Sequence, residues 1–210
     1  MESKTSTEDR LSTFRDVRFL DKFFGPKKVV IVGLSRSAIG APVSVLTTLN
    51  DYGYTGEIYV INPNMTQADA DNFKVCASLE DLPDDIELAV VSVAREQVHD
   101  VLQDCIAKSI KGAIVITQGF ADADEKGSRL QEQMLALARH HGMRILGPNT
   151  IGIADAFSCF TSSFIELEND KIAIGQVSQS GLFMMGHHLI NNEPAGFCKS
   201  IDLGNGSGID

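Results

Sequence analysis

The chain has little positive charge to offer a polyanion. Its 18 Lys and Arg stand against 28 Asp and Glu among 210 residues, a formal net charge of -10. Nucleic-acid binding needs a basic face, so no nucleic-acid partner is expected. The deficit does not bar a small anionic ligand, because a local nest of backbone N–H groups holds phosphate within an acidic protein. Long hydrophobic runs are missing as well: no stretch of about 18 apolar residues occurs, so no membrane span is expected. Met1 to Arg10 is polar and charged, without the apolar centre of a secretory signal, and a cytoplasmic protein is the expectation. The four cysteines, Cys76, Cys105, Cys159 and Cys198, lie far apart with no C-x-x-C pair, which argues against a zinc ribbon or redox motif. Cys76 and Cys105 sit in apolar-patterned stretches and read as buried thiols. No His accompanies Asp81, Asp84, Asp85 and Glu87 around Pro83, and no EF-hand spacing appears, so these acids read as a solvated loop and no metal is expected.

What is present is a rhythm. A hydrophobic content of 43% is ample for a packed core. Residues 1–24 read as a polar tail followed by a short helix from Phe14 to Phe24, ended by Gly25-Pro26. Short β-branched or apolar runs follow at Val29–Val32, Ile58–Ile61, Leu88–Val93, Ala113–Ile116 and Met143–Leu146, the pattern of strands buried on both faces. Helical spacing separates them at 40–52, 95–110 and 124–141. In 95–110, Val98, Val101, Leu102, Cys105 and Ile106 make one apolar stripe, and Gly142 is placed to cap the last helix. Asp122, Asp124 and Glu125 read as charges at that helix's N-terminus. Strands alternating with helices imply parallel pairing and right-handed crossovers, hence an α/β, Rossmann-like doubly wound parallel sheet over residues 25–153. Residues 154–170 break the rhythm and read as a linker packed on this first unit. A second α/β unit then begins at 171–210, with a strand from Lys171 to Val177, a turn at Ser178–Gly181, a helix to about Asn192 and a strand from Phe197 to Leu203; it is expected to be incomplete.

Ligands of doubly wound sheets bind at the carboxyl ends of the strands. The first such end is Gly33 to Gly40. Gly33 permits a tight turn, Gly40 close packing of the next helix, and Ser35, Arg36 and Ser37 add donors to the free N–H groups of a helix start. The G-x-G-x-x-G fingerprint is absent, since Ser35 stands at its second glycine. The second strand ends in Asn62-Pro63 rather than in the carboxylate that holds a nicotinamide dinucleotide's ribose. Both features point away from NAD.

Four segments, Val30–Ser35, Val60–Pro63, Ile116–Phe120 and Gly147–Gly152, together resemble the CoA-binding domain shared by the α subunit of succinyl-CoA synthetase, ADP-forming acetyl-CoA synthetases and related protein lysine acetyltransferases. A fifth, Val177–Gly181, resembles the entry to the flavodoxin-like ligase domain that follows in that family. The likeness runs over roughly residues 20–210. It implies that coenzyme A, or an acyl-CoA, lies along the strand ends. Gly33, Ser35, Arg36, Ser37 and Gly40 would line the phosphates, and Asn62 and Pro63 would border the nucleotide. Val93 would lie beside the adenine, Thr117, Gln118 and Gly119 near the pantetheine arm, and Asn149 near the thiol. Ser180 and Gly181 would open a phosphate-holding helix. The resemblance further implies an NDP-forming acid–thiol ligase with an ATP-grasp domain or subunit as partner; a homo-oligomer is left open.

The chain departs from the family at Thr150, where Cys is common, at Ala94, where Pro is common, and at Leu34, where Ala is usual. The family's phosphoryl-accepting histidine falls after Asp210, so no catalytic residue is assigned. His187 and His188 lie off the stripe of their helix. His141 reads as a core or C-terminal capping residue, and His99 as solvated. Two other functions stay open: a non-catalytic CoA-responsive regulatory module, and an NAD-binding oxidoreductase or redox sensor.

Overall fold

The computed structural model describes residues 18–33, 44–63, 65–67, 72–165, 173–183 and 198–206. In chain order it contains helix α1 (Arg18–Phe24), strand β1 (Lys28–Val32), α2 (Val45–Asp51), β2 (Glu57–Ile61), β3 (Lys74–Cys76), β4 (Leu88–Val91), α3 (Val98–Ala107), β5 (Gly112–Val115), α4 (Glu125–His141) and β6 (Arg144–Leu146). Four short strands follow: β7 (Ile153–Asp155), β8 (Phe160–Thr161), β9 (Gly175–Ser178) and β10 (Lys199–Asp202).

The first six strands form one sheet in the order β3-β2-β1-β4-β5-β6, and every neighbouring pair is parallel. The uninterrupted apolar runs explain why. Successive side chains of a strand point to opposite faces, so a strand apolar at every position needs cover on both sides. In β1, Val30 and Val32 join Ala89, Val91, Leu102, Cys105 and Met134 on the face covered by α3 and α4. Val29 and Ile31 face the other way and pack with Leu46, Leu49, Ile58, Val60 and Phe23, under α1 and α2. The strand order reverses between β1 and β4, the place where doubly wound sheets open a ligand crevice.

Local signals set the helix limits. Ser44 caps α2, its side chain accepting from the Thr47 amide at 3.1 Å. Asp124 caps α4 by accepting from the Gly127 amide at 2.6 Å, and Gly142 closes it in the left-handed region at φ 65°. His141 is exposed in the last turn of α4, so the core alternative raised for it is corrected; the helix ends there with Arg139, His140 and His141 beside its terminal carbonyls. His187 and His188 lie outside the described residues.

The sequence reading needs two further corrections. The 3-residue strand β3 was not expected; it carries the edge of the sheet beside β2. Residues 154–170 were expected to be a linker. Instead β7 and β8 pair antiparallel there and join a second sheet in the order β8-β7-β10-β9. β10 pairs antiparallel with β7 and parallel with β9. Strands of two or three residues, built here from Ala154, Asp155 and Thr161, are too short to show a period of two. Phe160 of β8 is fully buried against the first sheet's core and meets the Tyr54 ring edge-on at 5.3 Å. The hydroxyl of Thr48 in α2 also donates to the Ser163 carbonyl. No helix among the described residues is long and apolar enough to cross a membrane.

Candidate functional site

The crevice starts where β1 ends. Gly33 lies at φ 96°, and a Cβ there would stand 2.4 Å from the Ser92 carbonyl oxygen and 2.7 Å from Val93 Cγ1. The ends of β1 and β4 are drawn together by the Ser92 amide, which donates to the Val32 carbonyl at 2.8 Å. Only glycine fits this turn, for want of space and because of its positive φ. The expected phosphate-lining residues Ser35, Arg36, Ser37 and Gly40 lie outside the described residues.

A cavity of about 460 Å³ opens at this point. Gly33, Asn62, Pro63 and Val93, named from the sequence, all line it. Asn62 is held at the end of β2 by its backbone: its amide donates to Cys76 and its carbonyl accepts from Met65. Four further lining residues, Gln97, Asp100, Val101 and Asp104, come from the approach to α3 and from its exposed flank. The sequence reads Val101 as part of the apolar stripe, and Gln97, Asp100 and Asp104 belong to no motif. The available signal was that α3 starts at the strand-order reversal, which obliges its first turns to flank the ligand. Asp100 and Asp104 make the α3 wall acidic.

The other expected residues form a second, hydrogen-bonded group at the ends of β5 and β6. Thr117 is its centre: its hydroxyl donates to the Val93 carbonyl at 2.8 Å, and its own carbonyl accepts from the Asn149 amide at 2.9 Å. Val93 therefore belongs to both groups. Gln118 is exposed, and Gly119 turns at φ 92°. Asp122 fixes this loop by accepting from the amides of Gly119 at 3.1 Å and Phe120 at 3.0 Å. Burial works to raise the Asp122 carboxyl, but hydrogen bonds from Asn205 and from these amides outweigh it and hold the group below the usual carboxylate range. Arg95 adds a clamp, donating to the Gly119 carbonyl and, at 2.9 Å, to Asp124. The Asp124 carboxyl is also lowered, first by the Gly127 amide and then by Arg95. Neither Asp122 nor Arg95 was singled out as a site residue. The sequence reads Asp122 only as a helix-terminal charge; in the fold its two oxygens accept from the loop amides and from Asn205.

Gly147 and Pro148 are joined by a cis peptide bond, and Gly147 (φ 94°) would place a Cβ 2.5 Å from the Val115 carbonyl oxygen. Asn149 follows at φ 60°. Thr150, standing where the resembling family commonly has Cys, is buried and donates to the Asp202 carbonyl. Ser180 is exposed and lies apart from the crevice cavity. Its amide donates to the Ser178 hydroxyl at 3.1 Å, and its carbonyl accepts from the Phe183 amide at 3.0 Å. Gly181 packs on Ile151, whose Cγ2 would stand 2.9 Å from an added Cβ.

Neither Cys76 nor Cys105 offers a ready nucleophile. Burial pushes Cys105 up to about 12, and burial likewise raises Cys76. The acids around Pro83 are engaged: Asp84 with Lys108, Asp85 with Lys28, and Asp81 with Ser78. Among the described residues no three His, Cys, Asp or Glu side chains cluster closely enough to hold a metal ion.

Known proteins resemble this chain in sequence and fold. The family model for a CoA binding domain matches residues 27–156. The chain is 36% identical over 198 residues to an ADP-forming acetate–CoA ligase II of Archaeoglobus fulgidus, covering 92% of this chain and 28% of that one. It is 30% identical to the α subunit of the ADP-forming acetate–CoA ligase II of Pyrococcus furiosus, covering 91% and 41%. Among solved structures, the apo form of the dinucleotide-forming acetyl-coenzyme A synthetase 1 of Ca. Korarchaeum cryptofilum is similar at a TM-score of 0.77 and 31% identity, covering 91% of this chain and 41% of that one. The chain thus spans less than half the length of these relatives. A family match that takes in the whole first sheet and its crevice shows that the chain belongs to the CoA-binding domain family.

Proposed function

We propose that the crevice between the ends of β1, β2 and β4 takes the ADP moiety of coenzyme A, and that the pantetheine arm runs past Thr117–Gly119 to place the thiol beside Asn149. The observation that carries this reading is the Gly33 turn at the strand-order reversal, opening on Asn62 where a nicotinamide site needs a carboxylate. Val93 and Pro63 supply apolar walls for a purine, and Asn62 supplies a neutral amide. Ser35, Arg36, Ser37 and Gly40 remain the proposed phosphate donors, acting as fixed dipoles and charge toward the diphosphate.

In this reading the chain is the CoA-binding part of an NDP-forming acid–thiol ligase. The whole enzyme converts acyl-CoA, phosphate and NDP to the free acid, CoA and NTP. Ser180 and Gly181 are the proposed phosphate-holding residues of the second unit, and an ATP-grasp domain or subunit is the proposed partner. The proposed location is the cytoplasm. This chain alone is expected to bind CoA without completing ligation.

Isothermal titration is the test. Coenzyme A should give a saturable heat, and NADH at the same concentration none. Absence of heat at millimolar CoA, or binding of NADH in preference to CoA, would reject the reading.

A further inference from the structure

Two loops and helix α4 at the proposed thiol end meet on one residue just beyond the second sheet. Asn205 lies in the turn that follows β10. Its amide donates to the Pro148 carbonyl at 2.9 Å. Its side-chain oxygen accepts from Asn149 Nδ2 at 3.2 Å. Its side-chain nitrogen lies 2.9 Å from Asp122 Oδ1 and 2.8 Å from Gln131 Oε1. Gln131 also accepts from the Ala121 amide, and Asp122 holds the Gly119 and Phe120 amides. Both ends of the one amide are thereby used, one on the Gly147–Asn149 turn and the other on the loop after β5.

The contact is built into the backbone as well. Gly204, at φ 56°, lies so near the first unit that a Cβ would stand 2.3 Å from the Pro148 carbonyl oxygen. The buried Asp202 carboxylate accepts from the Ile151 amide at 2.8 Å and the Gly204 amide at 3.2 Å, pinning the two ends of this seam to each other.

We infer that Asn205 is a positioning residue for the thiol end of the site, through which the second sheet sets the geometry of the Asn149 turn and the Thr117–Gly119 loop. The inference rests on the CoA reading above. Asn205 acts through Asn149 and Asp122 and does not itself need to touch the ligand. Because coupling free energies are reciprocal, whatever displaces the β10 turn changes affinity for the thiol arm, and a bound thiol arm holds the β10 turn.

The test separates the two halves of the ligand. The full 210-residue chain and its Asn205→Ala and Asn205→Asp variants are titrated with CoA and with 3′-phosphoadenosine 5′-diphosphate, which has the nucleotide but no pantetheine. Alanine removes the bridge, and aspartate sets a second carboxylate against Asp122. Both variants should weaken CoA by about five- to ten-fold, the size of one or two lost hydrogen bonds, while the nucleotide fragment stays within about two-fold, far below the tenfold that 1.4 kcal/mol represents. Adding Asn149→Ala to Asn205→Ala should cost less than the sum of the two single variants, because part of the Asn205 effect runs through Asn149. Equal weakening of both ligands, or unchanged CoA affinity in both variants, overturns the inference. An unsubstituted chain that binds neither ligand rejects the CoA reading itself, a different failure from variants that bind as the unsubstituted chain does.

Discussion

Gly33 and Cys105 are the two positions where the environment of one residue decides most. Gly33→Ala must set a methyl group against the Ser92 carbonyl while holding φ 96°, and the neighbour is backbone that cannot swing aside. The expected cost is about 2–4 kcal/mol of stability, from a strained backbone plus overlap, with CoA affinity lowered as the β1 and β4 ends are forced apart; chemical denaturation and titration of the same preparation check both. Cys105 is fully buried on the inner face of α3, and burial lifts its thiol to about 12. Since the thiolate is the reactive form, Cys105 should resist iodoacetamide at pH 8 in the folded chain and react once denaturant is added. Mass spectrometry of the labelled peptide reads the result, and rapid labelling of Cys105 without denaturant would contradict this packing. The sequence alone showed that Cys105 is buried, through its place on an apolar stripe. It did not show the Asp122–Asn205 pair, because residues 83 positions apart in a chain leave no local pattern of meeting.

Among the elements, the edge pair β2 and β3 is tied by charge. Glu57 of β2 is bonded first by Lys74 of β3, then by Tyr59 and Lys28, and these hold its carboxyl at about 2 against an ordinary 4.5. A carboxyl lowered on folding contributes stability above its unfolded value and loses it as pH falls through the folded one. The thermal midpoint should therefore drop between about pH 4.5 and pH 2 in part through Glu57, and Lys74→Met should flatten that part of the drop. The pair is exposed, so added salt should shrink the effect. A second prediction concerns α3, whose Asp100 and Asp104 face the cavity that is proposed to take an anionic ligand. Asp100→Asn with Asp104→Asn should tighten CoA by about two- to five-fold at low salt and less at high salt, as expected for a screened like-charge repulsion. The central strands and the long helices were legible because their apolar periods run for several residues and their caps, Asp124 and Gly142, are local. β3, β7 and β8 were not, because two or three residues carry no period and their pairing is decided by partners distant in the chain.

For the molecule as a whole, two sheets share one seam, and the seam lies beside the crevice. β10 is hydrogen-bonded to β7, which directly follows the Gly147–Gly152 turn, and the β10 turn returns to that same turn through Asp202 and Asn205. The position of the loops at the proposed thiol end is accordingly set by both sheets, whereas among the described residues Gly33 and Asn62 follow strands of the first sheet. The sequence motifs named residues at both ends of the proposed site, yet the joint between the two sheets appeared only when β7, read as the start of a linker, proved to be a strand. The most direct test is a crystal structure of the chain with coenzyme A. The account predicts the adenosine and diphosphate in the cavity bounded by Gly33, Asn62, Pro63 and Val93, with the pantetheine passing Thr117 toward Asn149. The cofactor found elsewhere on the surface, or NADH seated in this cavity where CoA is not, would contradict it.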